Sequence, residues 1–529
     1  MKEYLKKIES KEAKNALSQL SRSFKGNESK NLKSIKRNKN KSLILEINDI
    51  ILDASRYQVS KDTIEKAKTF AETIGINEWI NQILNGSKTN ISENQPALHA
   101  ALRCEKSDNF SHETIKIVMD QREKLFSIAE KIRNGEFLSA NGKKFKSIIS
   151  IGIGGSDLGP RMASTALKPY SNGPIIKFVS NIDPSDIISS ISNLEPDSTL
   201  LIISSKSFKT IETIANADFA FNWLSKNIGH ENAKKQRIAI TSNIQLAQKK
   251  GFNENQILEF PYWVGGRTSI WSSVGLPLVL SVGRKEFQNF LSGGRLIDQH
   301  IIEDCLNSLP CLMALLGYIQ RKYFKSGSHA VVPYDANLRL LPSYLQQLEM
   351  ESNGKSVKLN GRLVQEPCVP VIWGIQGTDA QHSFFQMLHQ GLEKIPIDIL
   401  LARTPSYNLE NREIKNNHKI LAANALAQAE AFFNGNDNKD PNRIIYGGKP
   451  VTLITYNKLN PNTLGSLIAL YEYKVIIQAG LWGINPFDQF GVELGKKMAN
   501  ALLSGNEKEY GIEPGSLDKL LKIMPEKIK

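Results

Sequence analysis

The sequence predicts an α/β protein with parallel sheets, and two observations support this prediction. Short runs rich in Val and Ile alternate with longer segments of helical character, which is the pattern of repeated β-α-β units. The runs fall into two separate sets, so two α/β units are expected. The 529 residues, 41% of them hydrophobic, suffice for two domains with sizeable cores.

The first set of candidate strands begins near residue 146 and the second near residue 329. A strand buried on both faces of a parallel sheet is expected to be a continuous apolar run, and these runs have that character. The helix-rich segment 282–326 is interpreted as the connection between the two sets. The predicted strands are 146–152, 175–180, 199–204 and 237–242 in the first set and 329–333, 370–374, 396–401 and 451–456 in the second.

The net charge of +14 is unevenly distributed along the chain. Residues 1–41 hold 13 Lys or Arg and 4 Asp or Glu, so this stretch carries +9 of the total. Its apolar residues have helical spacing, which favours a solvated amphipathic helix. A polyanion-binding arm is the alternative, because nucleic acids bind clustered cations.

The four cysteines form no CxxC pair, which argues against a zinc cage or a disulfide framework and favours a reducing cytoplasm. The sequence also has no apolar signal region at its N-terminus and no run of 18 apolar residues, so neither a signal peptide nor a membrane span is predicted. The cysteines are Cys104, Cys305, Cys311 and Cys368.

A glycine-rich turn follows the first predicted strand, in the segment IGIGGSDLGP at 151–160. Glycines such as Gly155 let the backbone approach a ligand, and a helix beginning at Ser156 would present free N–H groups to an anion. The dinucleotide fingerprint GxGxxG fails, because Asp157 occupies the third glycine position. A purely structural turn is the alternative.

A hydroxyl-rich turn follows the strand at 199–204, in the segment SSKSFKTIET. Ser205, Ser207 and Thr210 surround Lys206 at the start of a predicted helix, which is a suitable cradle for a phosphate monoester. A helix N-cap rich in Ser and Thr is the alternative.

Two further segments carry candidate catalytic side chains. Arg267 follows two glycines in GGRTSIWSSVG, where a guanidinium could reach a cleft and stabilise a developing oxyanion. His382 lies near a helix start in QGTDAQHSFFQMLHQG and could transfer protons. The alternatives are a surface arginine and an exposed histidine. No metal-binding histidine pattern is present.

The segment QQLEMESNGK at 346–355 predicts the end of a helix, with a stop at Gly354-Lys355. Gln347 and Glu351 are four residues apart and would share a helix face. Glu351 is therefore a candidate general base, and a solvated surface glutamate is the alternative.

The segment PFDQFGVELGK predicts a helix that begins at Pro486 with Asp488 as its cap. Gln489 and Lys496 are seven residues apart, which places them two turns apart on one face. A solvated lysine is the alternative for Lys496.

Together, these segments resemble the glucose-6-phosphate isomerase family. The resemblance spans roughly residues 50–505, with the motifs in family order. It implies two sugar-isomerase-type (SIS) α-β-α sandwich domains with parallel sheets. The implied organisation is a small domain at 107–281, a large domain formed by 1–106 (with the basic arm 1–41) and 282–505, and a C-terminal arm at 506–529.

The resemblance also implies a role for each candidate residue. Glu351 would move a proton between C1 and C2, Arg267 would stabilise the enediolate, and His382 would open the sugar ring with Lys496 assisting. Glu212 would orient His382. The implied substrate-binding residues are Gly155, Ser156, Ser205, Lys206, Ser207, Thr210, Gln347 and Gln489.

The resemblance further implies no metal and no cofactor, a sugar-phosphate substrate, and a homodimer in which each active site is shared between subunits. The chain departs from the family pattern at Thr268, Ser207 and Lys209, and Leu348-Glu349 replace the usual Gly-Asp. The alternatives are a non-catalytic sugar-phosphate-binding SIS protein and a nicotinamide-dependent dehydrogenase with Asp183 as ribose ligand, which the broken GxGxxG disfavours. Membrane association is not expected, and nucleic-acid binding remains only as a side role of the basic arm.

Overall fold

The fold is described from a computed structural model covering residues 2–24, 40–407 and 410–522. The chain divides into two compact units, Met1–Pro486 and Phe487–Lys529. The first unit contains both β-sheets described below. The predicted domain boundaries inside it, and the predicted start of a C-terminal arm at 506, stay predictions.

Eleven strands are present in the described residues, and all eight predicted runs are confirmed as strands. The sequence analysis did not predict β1, β2 and β7, which are only three or four residues long. The strands are β1 Ile44–Ile47, β2 Ile50–Asp53, β3 Ser147–Ile151, β4 Ile175–Val179, β5 Thr199–Ser204, β6 Arg237–Thr241, β7 Ile257–Glu259, β8 Ser328–Tyr334, β9 Val371–Trp373, β10 Ile397–Ala402 and β11 Val451–Tyr456.

The first sheet has five parallel strands in the order β4-β3-β5-β6-β7. In β3 and β5, the residues Ile151 and Ile203 pair across the ladder. The carboxyl ends of the two strands therefore lie side by side, and the turns that follow them are neighbours. This edge is where parallel α/β sheets bind ligands.

The second sheet has the order β1-β2-β11-β10-β8-β9, with β8 to β11 parallel. The predicted parallel sheet is confirmed in these four strands, and the sheet is extended at one edge by a hairpin, in which β1 pairs antiparallel with β2 and β2 antiparallel with β11. The reason is local, because β1 and β2 are joined by a two-residue turn that can only make a hairpin. Asn48 in that turn has φ 53°, a left-handed conformation that asparagine tolerates.

Helices cover the sheets. The predicted helical connection at 282–326 is confirmed as α12 and α13. The longest buried helix is α17, in which nearly every side chain is inaccessible. The helices are α1 Lys2–Ile8, α2 Lys11–Arg22, α3 Lys61–Thr73, α4 Ile76–Leu84, α5 His112–Asn134, α6 Gly155–Ala166, α7 Pro184–Ile191, α8 Ile211–Ile228, α9 His230–Lys235, α10 Ile244–Lys249, α11 Leu276–Val282, α12 Arg284–Asp304, α13 Leu309–Tyr323, α14 Leu341–Leu345, α15 Phe385–Gln390, α16 Arg412–Asn434, α17 Pro461–Trp482, α18 Glu493–Ser504 and α19 Ser516–Leu521.

The described N-terminal residues pack on the rest of the first unit. Tyr4 stacks on Trp79 with ring centroids 5.2 Å apart, and its hydroxyl donates a 2.7 Å hydrogen bond to the carbonyl of Gly480. The predicted helical pattern is confirmed in α1 and α2, where Ala13 and Leu20 are buried. The remainder of the predicted basic arm, 25–39, lies outside the described residues.

Across residues 2–24, 40–407 and 410–522, no single helix has both the length and the apolar character needed to cross a membrane. One bent pair, Arg284–Asn307 with Leu309–Tyr323, meets those criteria only when its two helices are taken together.

Candidate active site

The glycine-rich turn after β3 brings two loops into direct contact. Gly154 has φ +59°, which side chains other than glycine rarely adopt. A Cβ atom on Gly155 would lie 2.0 Å from the carbonyl carbon and oxygen of Gly266. The absence of a side chain at Gly155 therefore lets the loop that carries Arg267 lie against the start of α6.

Arg267 lies in a short 3₁₀ turn, Gly266–Trp271, and its side chain is 4% exposed. Its Nη1 is 3.1 Å from Oε1 of Glu351, and its Nη2 donates a 3.0 Å hydrogen bond to the carbonyl of Pro486. The hydroxyl of Tyr344 donates to the carbonyl of Arg267 at 3.2 Å. Contacts therefore hold both the guanidinium and the backbone of Arg267. The residue is buried, so the alternative of a surface arginine is wrong.

Glu351 lies at the end of a π-helical turn, Gln346–Glu351, and its side chain is 20% exposed. The predicted end of a helix before Gly354 is confirmed, and the structure adds that α14 widens into this π-helical turn after Leu345. Such widened turns are frequent at functional sites. Glu351 is partly accessible and paired with a cation, which distinguishes it from a solvated surface glutamate.

Gln347 faces the glycine-rich turn from the same π-helical segment. Its Nε2 lies 3.2 Å from the position that a Cβ on Gly154 would occupy. Its Oε1 is buried and has no hydrogen-bond partner among the described residues. A buried acceptor of this kind is costly to leave unsatisfied, so Gln347 is suited to accept from a bound hydroxyl.

The hydroxyl-rich turn after β5 adopts a compact loop. The Oγ of Ser205 lies 3.1 Å from Oγ1 of Thr210 and accepts a 3.2 Å hydrogen bond from the amide of Phe208. Phe208 is buried and has φ 56°, so the backbone reverses at this residue. Thr210 occupies the N-cap position of α8 without capping it through its side chain. The loop therefore presents two neighbouring hydroxyls at a helix N-terminus.

Lys206 connects this loop to the segment that leads to Arg267. Its Nζ donates to the carbonyls of Tyr262 at 2.7 Å and Val264 at 2.9 Å. Burial lowers the pKa of the Lys206 ammonium. The structure thus places this amine on two protein carbonyls, and its role as a phosphate ligand stays a prediction.

His382 and Glu212 lie on different elements of the first unit. His382 is exposed at the end of the 3₁₀ turn Asp379–His382, and Glu212 is half-buried in the first turn of α8. The described hydrogen bonds and ion pairs include none that joins these two side chains. Their predicted pairing within one site stays a prediction.

Gln489 and Lys496 belong to the second compact unit. The predicted helix start at Pro486 is wrong, because a 3₁₀ turn, Phe490–Val492, precedes α18 at Glu493. The backbone at Gln489 is non-helical, with φ −154° and ψ 39°, so a helix cannot run continuously from Pro486. Lys496 is exposed in the first turn of α18.

A buried ionic network supports the Arg267 loop, and sequence analysis missed it. Arg103 donates to Asp298 through Nε at 2.7 Å and to Glu472 through Nη1 at 2.6 Å. Glu472 also accepts a 2.8 Å hydrogen bond from Nε1 of Trp271, at the end of the 3₁₀ turn that carries Arg267. The available signal was the presence of Glu472 and Lys474, the only charged residues in the mainly apolar helix α17.

The described residues contain no group of three or more His, Cys, Asp or Glu positioned to hold a metal ion. What the geometry does provide is a carboxylate beside a fixed guanidinium, next to a glycine-rich turn and a pair of hydroxyls. A base adjacent to a cation suits proton abstraction next to a carbonyl, because the cation stabilises the resulting oxyanion.

Comparisons with known proteins show the family to which this chain belongs. Residues 53–516 match the family model described as phosphoglucose isomerase, and the chain therefore belongs to this family. It is 39% identical to the glucose-6-phosphate isomerase of Chelativorans sp. over 480 residues, covering 86% of this chain and 87% of the relative. It is likewise 39% identical to the glucose-6-phosphate isomerase of Beijerinckia indica over 484 residues, with 87% of each covered.

Among solved structures, the fold is similar to that of a glucose-6-phosphate isomerase from Chlamydia trachomatis. The TM-score is 0.83 at 28% identity, and the similarity covers 98% of this chain and 99% of the other.

Proposed function

We propose that this chain interconverts glucose 6-phosphate and fructose 6-phosphate, in glycolysis and gluconeogenesis. Membership of the phosphoglucose isomerase family supports this activity. The observation that supports it most directly is the pairing of the buried guanidinium of Arg267 with the carboxylate of Glu351 at 3.1 Å. The chain thus acts as an aldose–ketose isomerase.

The proposed chemistry is a proton transfer between adjacent carbons of the open-chain sugar. Glu351 removes the proton from C2 of the aldose and returns it to C1, while the hydroxyl proton on C2 passes to the oxygen on C1, which gives the ketose. The C–H bond is weakly acidic, and removing its proton places negative charge on the carbonyl oxygen. Arg267 stabilises that cis-enediolate, because a preorganised, buried cation is most effective where charge develops.

The substrate-binding proposal assigns the phosphate to the loop after β5. Ser205, Ser207 and Thr210 supply hydroxyl donors, and the N-terminus of α8 supplies a favourable dipole. Gly155 and Ser156 line the sugar at the start of α6, and Gln347 offers its unpaired Oε1 to a sugar hydroxyl. Gln489 is proposed to line the same sugar.

Ring opening is assigned to His382, with Lys496 assisting at the ring and hydroxyl oxygens and Glu212 orienting the imidazole. We propose that the active protein is a cytoplasmic homodimer in which His382 serves the site of the neighbouring subunit. The exposure of His382 supports this arrangement, since an exposed histidine is available to a second chain.

A non-catalytic sugar-phosphate-binding protein of the same fold is the second candidate. The buried cation beside Glu351 disfavours it, because simple phosphate recognition has no use for a carboxylate paired with Arg267.

A coupled assay with purified protein tests the proposal. An added dehydrogenase oxidises the glucose 6-phosphate that forms from fructose 6-phosphate. The accompanying reduction of its nicotinamide cofactor measures the rate of conversion. Turnover by the natural chain, and its loss in Glu351→Gln, is the expected result. Binding of the sugar phosphate without turnover in the natural chain would favour the second candidate.

A further inference from the structure

The π-helical turn that ends at Glu351 is held against α17 on both sides of that residue. Two residues before Glu351, the carboxylate of Glu349 accepts a 2.8 Å hydrogen bond from Nζ of Lys474. Two residues after it, Nδ2 of Asn353 donates a 3.1 Å hydrogen bond to the carbonyl of Val475. Consecutive residues of α17 therefore fix the two ends of the segment that presents Glu351.

The Glu349–Lys474 pair is unusually deep in the protein. Both side chains are 2% exposed, and the second carboxylate oxygen, Oε1 of Glu349, has no hydrogen-bond partner among the described residues. Lys474 also lies over the ring of Tyr471 at 5.6 Å. Desolvating two charges is expensive and does not by itself favour folding over well-packed apolar residues. A geometric role is therefore the more economical explanation for this pair.

Helix α17 also contacts the turn that carries Arg267, the cation paired with Glu351. Glu472, two residues before Lys474, accepts the hydrogen bond from Trp271, which ends the turn that carries Arg267. Both segments of the Arg267–Glu351 pair are thus fixed to three neighbouring residues of α17. The 3.1 Å distance between Arg267 Nη1 and Glu351 Oε1 thus depends in part on the position of this one helix.

We infer that Lys474 and Glu349 are positioning residues that set the placement of the Glu351 carboxylate through the π-helical turn. This inference rests on the proposed role of Glu351 as the base. If the pair is lost, the turn can relax toward a regular α-helix and rotate Glu351 away from the reacting carbons. Displacement of a reacting group by about 1 Å can cost about 10²-fold in rate.

Kinetics of Lys474→Met test the inference. We expect kcat to fall by about 10- to 100-fold while KM changes much less, because the proposed phosphate contacts lie on another segment, the loop after β5. Glu349→Asp should lower kcat in the same way by shortening the carboxylate arm. Glu349→Asp combined with Lys474→Arg should recover most of the loss, because the longer cation closes the gap.

Lys449→Met is the matched control. Lys449 is also a buried lysine, 3% exposed, and its amine donates to the carbonyls of Gly391 and Glu393. Its replacement should lower the midpoint temperature of unfolding. At temperatures below that midpoint, kcat should equal that of the natural chain. Circular dichroism at the assay temperature should establish that each variant is folded.

Two results would overturn the inference. One is a folded Lys474→Met protein with natural kcat, and the other is a loss of kcat in Lys449→Met equal to that in Lys474→Met. Glu351→Gln, measured in parallel, separates this failure from that of the proposed function. Normal turnover in Glu351→Gln rejects the base itself, whereas an inactive Glu351→Gln with an active Lys474→Met rejects only the positioning role.

Discussion

The indole Nε1 of Trp271 donates a 2.8 Å hydrogen bond to a carboxylate oxygen of Glu472, and both side chains are buried. The other oxygen of Glu472 accepts from Arg103, whose guanidinium lies 4.6 Å from the centre of the Trp271 ring. One arginine thus contacts both members of the pair. The turn that presents Arg267 is therefore stabilised by the buried charges of Glu472 and Arg103 as well as by apolar packing.

The first prediction concerns the stability supplied by Arg103. Arg103→Met should lower the free energy of unfolding by about 3–5 kcal/mol, because it leaves Asp298 and Glu472 buried without their cation. Chemical denaturation measures this loss. Arg284→Met is the control, since Arg284 pairs with Glu123 at the surface and should cost only about 0–1 kcal/mol. Equal losses would mean that the buried network contributes no special stability.

The second prediction concerns the base. Glu351→Gln should keep the fold and bind sugar phosphate but lose turnover by about 10²–10⁴-fold, the usual contribution of a general base. Steady-state kinetics and a direct binding measurement should be made on the same preparation. Near-normal turnover would assign proton transfer to another group.

The third prediction concerns the phosphate loop. Replacing Ser205 and Thr210 by Ala should raise KM by about tenfold or more with little change in kcat, because hydrogen bonds to phosphate are made in ground and transition states alike. Initial-rate measurements over a range of fructose 6-phosphate concentrations give both constants. A fall in kcat at constant KM would contradict the assignment.

The fourth prediction concerns the contact between the two glycine loops. In Gly155→Ala, the new methyl group would meet the backbone of Gly266 at 2.0 Å and push the Arg267 loop away. We expect kcat to fall by about 10²-fold. Gly265→Ala is the control in the same loop, because its methyl group would meet only Thr268 at an ordinary 3.7 Å. Similar kinetics for the two variants would show that the close approach is not needed.

The fifth prediction tests the proposed shared site. Equal amounts of Glu351→Gln and His382→Ala chains should be unfolded and refolded together. Random pairing makes half of the dimers mixed, and each mixed dimer then has one intact site, so activity should return to roughly a quarter of the natural level. If mass spectrometry finds mixed dimers without this recovery, both residues serve the same subunit's site.

Eight of the eleven strands in the described residues were predictable because strands of parallel sheets tend to be apolar runs rich in Val and Ile, whereas the parallel strand β7, only three residues long, was missed. The β1–β2 hairpin was missed, although its two-residue turn at Asn48 and Asp49 is a recognisable signal. Its strands are short, and their alternation of apolar and polar residues is weak. Local patterns of this length are outweighed by tertiary pairing.

The candidate site was predictable as a set of residues but not as a geometry. Gln346 to Glu351 are mostly good helix formers, so nothing in their composition distinguishes a π-helical turn from an α-helix. The widening accompanies contacts with Lys474 and Val475, more than 120 residues away. The close approach of Gly155 and Gly266 is likewise a relationship between distant segments, which a local pattern cannot specify.

The N-terminal hairpin also has a consequence for association between copies of the chain. Strand β2 covers the edge of β11, and without it that strand would present its unpaired amides and carbonyls to any passing segment. The outer strand, β1, is only four residues long and exposes the charged Glu46. Short, charged edge strands resist pairing with other chains. The hairpin therefore protects this side of the sheet against aggregation, and a chain that lost it would be exposed to edge-to-edge polymerisation.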